Sequence, residues 1–595
     1  MAQGDYIALA WSRAEASAAD TARLMRVRTE LERSGGWRLE HQQPGLWIFV
    51  TLEQTVSLRP CGAGVVLGDI FGPDVEATIP ARLPCEAAAR SLARTAWGAY
   101  VALWPQGDGD LAVFRDPMGG LDGLAWRCEG VAVAASDLPA PLLTHLAPGA
   151  AIDWPVVAAA LANSVRVSDA IGITGLHAVG PGELVVVASE GLRRSVIWTP
   201  AQILRDAGLA DAEPGDLVAC VDRCVAAWSN LYPRILVELS GGLDSAIVGA
   251  ALVASPAGEV RGWLNQYTDG WVGDERVYAK AVADRLGVGL ETVRRPAMTL
   301  DPADFLALAD GPRPSLNGAD ALFDRTLAEA AERCAVDAIF TGQGGDVVFL
   351  ELSTPLFAAD RLARLGPKGL APRFLAETAA WTQVSTWSVI RQAVLGAAGL
   401  APTGGRPAPA YLTRRDLRRD RRRPAHPYLS DLGGAPPVKR LQIHNLAYIQ
   451  IVRGRSLRGR GRRLVHPLLS QPLVELCLAV PADVLCAAGR GRDLARRAFS
   501  GRLPPEVTER RTKGDMTAFY GRAIGDSLPV LRPFLLDGEL VRRGLVDAAA
   551  LEAMLTPERL VHDGRYGDIF DLLAIEAWTQ VWRAKLSAID AARSR

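Results

Sequence analysis

One strand–turn–helix unit constrains this chain more than any other feature. Arg234-Ile235-Leu236-Val237-Glu238-Leu239 reads as a strand and stops abruptly at Ser240-Gly241-Gly242-Leu243-Asp244-Ser245, after which Ala246 to Leu252 continues as a helix. Two adjacent glycines let the backbone turn tightly and bring its N–H groups close to an anion. The helix adds the positive end of its dipole, so a pyrophosphate group is stabilised at the turn. Ser240 and Ser245 supply hydroxyl donors, and Asp244 supplies a carboxylate able to hold magnesium. No Gly-Lys-Ser/Thr follows, so this is not a Walker loop.

Such a unit belongs in a parallel sheet covered by helices, and its neighbours agree. Strand-like Val260 to Asn265 is followed by helix-like Val277 to Leu286, and from about Leu356 onward the pattern is predominantly helical. The first two hundred residues differ. Ile7–Trp11, Gly45–Val50, Gly64–Gly68, Tyr100–Trp104 and Leu111–Arg115 are short β-type runs punctuated by Gly, Pro and Asp, with a helix over Cys85 to Thr95. That is the pattern of an antiparallel sheet system, and the texture changes near Thr199-Pro200. A chain of 595 residues exceeds one hydrophobic core. The expectation is a multi-domain α/β protein divided into residues 1–205 and 206–595.

Composition excludes several classes. The 66 basic and 66 acidic side chains cancel, so no global field for nucleic acid exists. Two arginine-dense stretches, Thr413 to Arg423 and Arg453 to Arg463, read as a solvated helix face and a polar loop. The eight cysteines are scattered, and Cys220 and Cys224 read as small buried residues on one helix face rather than metal ligands. No disulfide framework, signal peptide or apolar run of ~20 residues is present, so a cytoplasmic, soluble protein is expected.

A second turn completes the chemistry. Val336 to Thr341 reads as another buried strand and ends in Gly342-Gln343-Gly344-Gly345-Asp346. Two glycine turns at the carboxyl ends of parallel strands suit the crevice where open α/β sheets bind ligands.

The Ser-Gly-Gly-Leu-Asp-Ser string resembles the signature of the PP-loop ATP pyrophosphatases, and nearly the whole chain resembles asparagine synthetase homologues. Arg115-Asp116-Pro117-Met118-Gly119-Gly120 resembles a turn of their N-terminal domain, and Gly180-Pro181-Gly182-Glu183 with Trp198 its closing strands. The resemblance implies a class II amidotransferase-like α+β sandwich, then a PP-loop synthetase domain with a helical extension. It implies ATP held by Ser240, Gly241, Gly242, Asp244, Ser245, Thr341, Gly342 and Gly344, and Mg2+ held by Asp244 and Asp346. Gln343 stands where the family has an acid, and Ser470 ends Pro467-Leu468-Leu469-Ser470 where the family has Asp. Leu503-Pro504 followed by Arg511-Thr512-Lys513 resembles the family's Leu-Pro and Arg-x-Lys, so Lys513 matches the catalytic lysine. A cation is needed there for charge developing on the α-phosphate and on the tetrahedral acyl intermediate.

Glutamine-hydrolysing members need a cysteine directly after the initiator Met, and this chain has Ala2 with its first cysteine at Cys61. The amine must then come from the substrate or from another molecule. Two known branches lack the cysteine, β-lactam synthetases and lasso-peptide macrolactam synthetases. Pro467 to Glu475, Gly491 to Ala498, Arg511 to Gly514, Trp97 to Tyr100 and Glu576-Ala577-Trp578 resemble the lasso branch more. That branch implies a core-peptide substrate and a leader-peptidase partner, with no nucleic acid and no membrane. A small-molecule amide or β-lactam synthetase and a catalytically inactive scaffold are the alternatives.

Overall fold

The computed structural model describes residues 4–594 apart from 15, 55, 75–78, 163–170, 207–211, 256–257, 269–273, 296–297, 401–407, 414–425, 488, 511–516 and 563–564. Among the described residues, the N-terminal part forms two antiparallel sheets stacked face to face. The first runs His177–Ala178, Leu124–Cys128, Val131–Ala135, Tyr6–Trp11, Leu46–Thr51, Trp37–Gln43 in spatial order. The second runs Gly191–Val196, Glu183–Ala188, Leu111–Arg115, Trp97–Pro105, Gly64–Phe71, Leu58–Cys61. Strand alternation sorts the side chains. Tyr6, Ala8 and Ala10 turn inward onto Val65, Leu67, Val101 and Leu103, whereas Ile7 and Leu9 turn outward onto Leu24, Val27 and Leu31 of the helix Ala18–Arg33. Helix Cys85–Thr95 covers the outer face of the second sheet. The expected α+β sandwich is present, with more strands than the five apolar runs mark.

The C-terminal part holds a parallel sheet in the order Glu291–Arg294, Glu259–Tyr267, Arg234–Glu238, Ala338–Phe340, Arg463–Val465. Val237 is in register with Trp263 and Phe340, and Leu236 with Ile339. One face therefore packs Val237, Trp263 and Phe340 against helices Pro214–Ser229 and Leu243–Ala254. The opposite face packs Leu236, Leu264, Ile339 and Leu464 under helix Ala321–Arg333. Cys220 and Cys224 are buried in the Pro214–Ser229 helix, as small core residues.

One expectation is corrected in part. The Arg453–Arg463 stretch is largely a polar loop, as expected, but its guanidiniums are paired rather than solvated. It leads into the edge strand Arg463–Val465. Arg455 pairs with Asp137 and Asp310 at 2.8 and 2.6 Å, Arg463 pairs with Asp69 at 3.4 Å, and Arg453 donates to the Met118 carbonyl. A short strand among guanidiniums shows no apolar alternation, because its polar neighbours face partners rather than water. The Arg414–Arg423 run lies outside the described residues.

The two parts are joined tightly. Gln54 Nε2 donates to the carbonyls of Gly459 and Arg462 at 3.1 and 3.0 Å, and Trp198 Nε1 donates to Glu475 at 2.7 Å. In the Arg115–Gly120 turn, Asp116 accepts from the Met118 and Gly120 amides, while Tyr428 donates to the Pro117 carbonyl. One continuous core cluster runs from Tyr100 and Phe114 through Val237 to Leu473. Among the described residues no helix is long and apolar enough to cross a membrane.

Candidate active site

The Ser240–Ser245 turn falls where strand Arg234–Glu238 gives way to helix Leu243–Ala254. Gly241 has φ +88°, and a Cβ there would lie 2.7 Å from the Glu275 carbonyl oxygen, so only glycine fits. Gly242 is the N-cap and offers no side chain to the first-turn amides, which leaves them available to an anion. The two hydroxyls brace the loop. Ser245 Oγ accepts from the Ser240 amide at 3.1 Å and lies 3.0 Å from Ser240 Oγ.

The second turn packs directly on the first. A Cβ on Gly342 would come within 2.3 Å of the Ser245 amide nitrogen, and one on Gly345 within 2.4 Å of Asp244 Cγ. Gly344 has φ +95° and backs onto Leu469. Thr341 is buried, its hydroxyl 2.7 Å from His466 Nδ1 and accepting from the Gln343 amide at 3.2 Å. That side chain holds the turn in shape.

The two aspartates converge on one side chain, Arg492. Arg492 Nη1 lies 2.8 Å from Asp244 Oδ2 and 2.9 Å from Asp346 Oδ1, and its Nε lies 2.6 Å from Glu351 Oε2. Burial works against the charged guanidinium, but Asp244, Asp346 and Glu351 outweigh it and raise its pKa. Arg492 itself adopts φ 57°, and its amide donates to the Leu350 carbonyl at 3.2 Å. Neither Arg492 nor Glu351 is assigned a role by the sequence reading. Arg492 stands inside the recognisable Gly491–Ala498 segment, whereas nothing in the sequence marks Glu351.

Among the described residues no group of three or more His, Cys, Asp or Glu side chains could cage a metal. Two carboxylates held on one cation nevertheless suit magnesium, which takes one or two protein carboxylates and fills its remaining positions with phosphates and water. Asp244 and Asp346 would hold the ion, which would neutralise charge along the phosphate chain.

Ser470 has a structural explanation. It caps helix Gln471–Ala479, accepts from Trp228 Nε1 at 3.0 Å and donates to the Pro467 carbonyl at 2.7 Å, contacts that need a hydroxyl. Lys513 lies outside the described residues. The chain leading to it is anchored at Arg510, paired with Glu275 at 2.7 Å and stacked over Tyr278 at 4.0 Å. Glu275 is the residue against which Gly241 packs, so Arg510, the last described residue before Lys513, stands beside the phosphate turn.

A parallel sheet ending in two apposed glycine turns with converging carboxylates defines an α/β domain suited to binding a nucleotide's phosphates. The asparagine synthase family profile matches residues 217–580, more than half of the chain, and the chain belongs to that family. Members of the family are AMP-forming ligases that use ATP, typically with magnesium. No curated protein matches the chain significantly. Two solved structures share low similarity. The allosteric regulatory enzyme of purine biosynthesis is 13% identical over 50% of this chain and 81% of its own, with a TM-score of 0.19. Glutamine phosphoribosylpyrophosphate amidotransferase from B. subtilis, complexed with ADP and GMP, is 10% identical over 57% and 90%, with a TM-score of 0.18. Scores that low carry no argument.

Proposed function

We propose that this protein is a macrolactam synthetase of the lasso-peptide type. It adenylates an Asp or Glu side chain of a core peptide, and the peptide's own N-terminal amine then closes an isopeptide ring, releasing AMP and pyrophosphate. The amides after Gly242 hold the phosphates, and Arg492 balances their charge. Lys513 meets charge on the reacting centre. Joining two ends of one molecule makes the second step intramolecular, where orientation alone supplies ~7–11 kcal/mol of the barrier.

The observation that carries the reading is the placement of the N-terminal cysteines, with Cys61 and Cys128 buried in hydrophobic cores and Cys85 half-buried on its helix. Burial pushes the Cys61 thiol up to about 11, and it raises those of Cys85 and Cys128 as well. A glutamine-cleaving thiol needs the opposite shift. Without ammonia made on this chain, a substrate amine is the natural nucleophile. The protein acts in the cytoplasm beside a leader peptidase.

The test is incubation with ATP, magnesium and a leaderless core peptide, followed by mass spectrometry. A product lighter by one water is expected. Reaction of small amino acids alone would overturn the peptide reading, and absence of ATP–pyrophosphate exchange with any acid would favour an inactive scaffold.

A further inference from the structure

We infer that a cavity between helices Phe357–Leu365 and Pro372–Thr382 binds a carboxylate carried on an aromatic side chain. The inference does not rest on the macrolactam reading.

The cavity holds about 230 Å³ and is closed on a third side by Asp483 and Cys486. That is smaller than the ~300–1,000 Å³ of a drug-sized ligand site, so it suits one amino-acid residue or a small acid. Helical spacing makes its walls aromatic. Phe374, Thr378 and Trp381 recur at i, i+4 and i+7 on one helix face, and Phe357 and Arg361 stand one turn apart on the other helix. The Phe357 and Trp381 rings lie 5.3 Å apart and tilted by 35°, and the Arg361 guanidinium lies 4.6 Å over the Phe374 ring. A further ring entering between them gains offset and edge contacts on both sides.

The charges around the cavity do not cancel. Arg361 Nη1 and Arg364 Nη2 donate to the same oxygen of Asp483, at 2.9 and 2.6 Å, and the Asp483 side chain is 2% exposed. At the rim Arg373 pairs with Glu377 at 2.8 Å. Deeper in the core the Lys439 ammonium is matched by Asp360. Three guanidiniums therefore meet two carboxylates, and the pair behind them is neutral as a unit. One positive charge is left over, which an anion closes.

Arg361 is the donor that meets it. Its Nε donates to the Gly369 carbonyl at 2.9 Å and its Nη1 is spent on Asp483, whereas no described residue meets Nη2. The side chain keeps 28% of its surface exposed where it borders the cavity. A guanidinium edge set against aromatic walls takes a carboxylate and leaves the ring that carries it to the walls.

The cavity also stands against the backbone that positions the phosphate site. Cys486 Sγ donates to the Leu350 carbonyl at 2.9 Å, and the Arg492 amide donates to the same carbonyl at 3.2 Å. A ligand held there and the nucleotide are thus backed by one stretch of chain.

The test uses the full chain and three probes, N-acetyltryptophan, its amide and N-acetylalanine, with binding followed by calorimetry. The wild type should bind N-acetyltryptophan about tenfold or more tightly than either of the others, the scale of one charge-assisted hydrogen bond. Arg361→Gln should erase the preference for acid over amide, and Trp381→Ala the preference for tryptophan over alanine, with circular dichroism reporting an intact fold. Equal binding of acid and amide by the wild type, equal binding of tryptophan and alanine, or no binding would overturn the inference. So would preferences that survive in the folded variants. If Arg361→Gln does not fold, Trp381→Ala decides, because a ring bound elsewhere would be indifferent to it. Gly-Gly-Trp and indole-3-acetate separate the two sources of such an acid. Tighter binding of the tripeptide marks a peptide C-terminus, and tighter binding of indole-3-acetate marks a free acid. None of these measurements needs ATP, whereas failure of the macrolactam reading appears as absent pyrophosphate exchange, so the two failures are distinct.

Discussion

Two arginines stand among carboxylates at the rim of one sheet, and they are held differently. Arg492 is gripped at 2.6–2.9 Å by Glu351, Asp244 and Asp346, and the acids outweigh burial. Arg458 stands back at 3.2 and 3.4 Å from Asp324 and Glu238. There burial outweighs the arginines, raising Glu238 and pushing Asp324 up to about 6. Beside the phosphate turn the acids hold the Arg492 guanidinium in its charged form, which suits a polyanion. Around Arg458 the balance tips the other way, towards the protonated carboxyl.

The comparison breaks first at the Arg492 side. Asp244→Ala and Asp346→Ala should each cut amide formation at least 10²–10³-fold, with circular dichroism unchanged. Near-normal turnover in either would remove it from the metal pair. Arg492→Ala should lower kcat/KM for ATP about 10–100-fold, the scale of a lost charge-assisted hydrogen bond. Arg492→Lys should recover only part, since it keeps the charge without the planar fork. Steady-state kinetics with varied ATP separates the variants, and equal defects in both would mean that geometry alone matters. A milder change sharpens the contact between turns. Gly342→Ala places a methyl 2.3 Å from the Ser245 nitrogen, so it should raise the KM for ATP severalfold and lower the thermal midpoint.

Much of the phosphate side is legible in the sequence because its signals are local. A strand, two glycines, a carboxylate and a helix follow one another from Arg234 to Ala254, and a similar unit recurs at Ala338–Asp346. The Arg458 side is not legible. Glu238, Asp324 and Arg458 are far apart in sequence, and each has an ordinary reading where it stands. Sheet register and the helix Ala321–Arg333 bring them to one place. The edge strand Arg463–Val465 was hidden for a related reason, since its signal is pairing with Ala338–Phe340 rather than composition. Arg492 illustrates the limit within a recognisable segment, because its left-handed backbone and three acidic partners exist only in the folded chain.

A third buried pair, away from the rim, shows what such charges do to stability. Lys439 is fully buried, donating to Gln442 and to the Cys477 carbonyl at 2.9 and 2.8 Å. Asp360 accepts from the Val438 amide at 3.2 Å, and burial, with Asp483 adding to it, pushes its carboxyl up to about 7. Burial pulls Lys439 down to about 8. Asp360 binds its proton more tightly folded than unfolded, so its contribution is fully present below the ordinary value of 3.8 and is lost as pH rises to about 7. Lys439 acts the other way, with stability recovered as pH rises from about 8 towards 10.5. Asp360→Asn keeps the acceptor for Val438 and removes the titration. The urea-melt stability of the variant minus that of wild type should therefore climb between about pH 4 and pH 7, by at most about 4 kcal/mol, and stay level above it. A difference that is flat across that window would mean that Asp360 is ionised when folded, leaving Glu238 and Asp324 as the clearer case of carboxyls raised by burial.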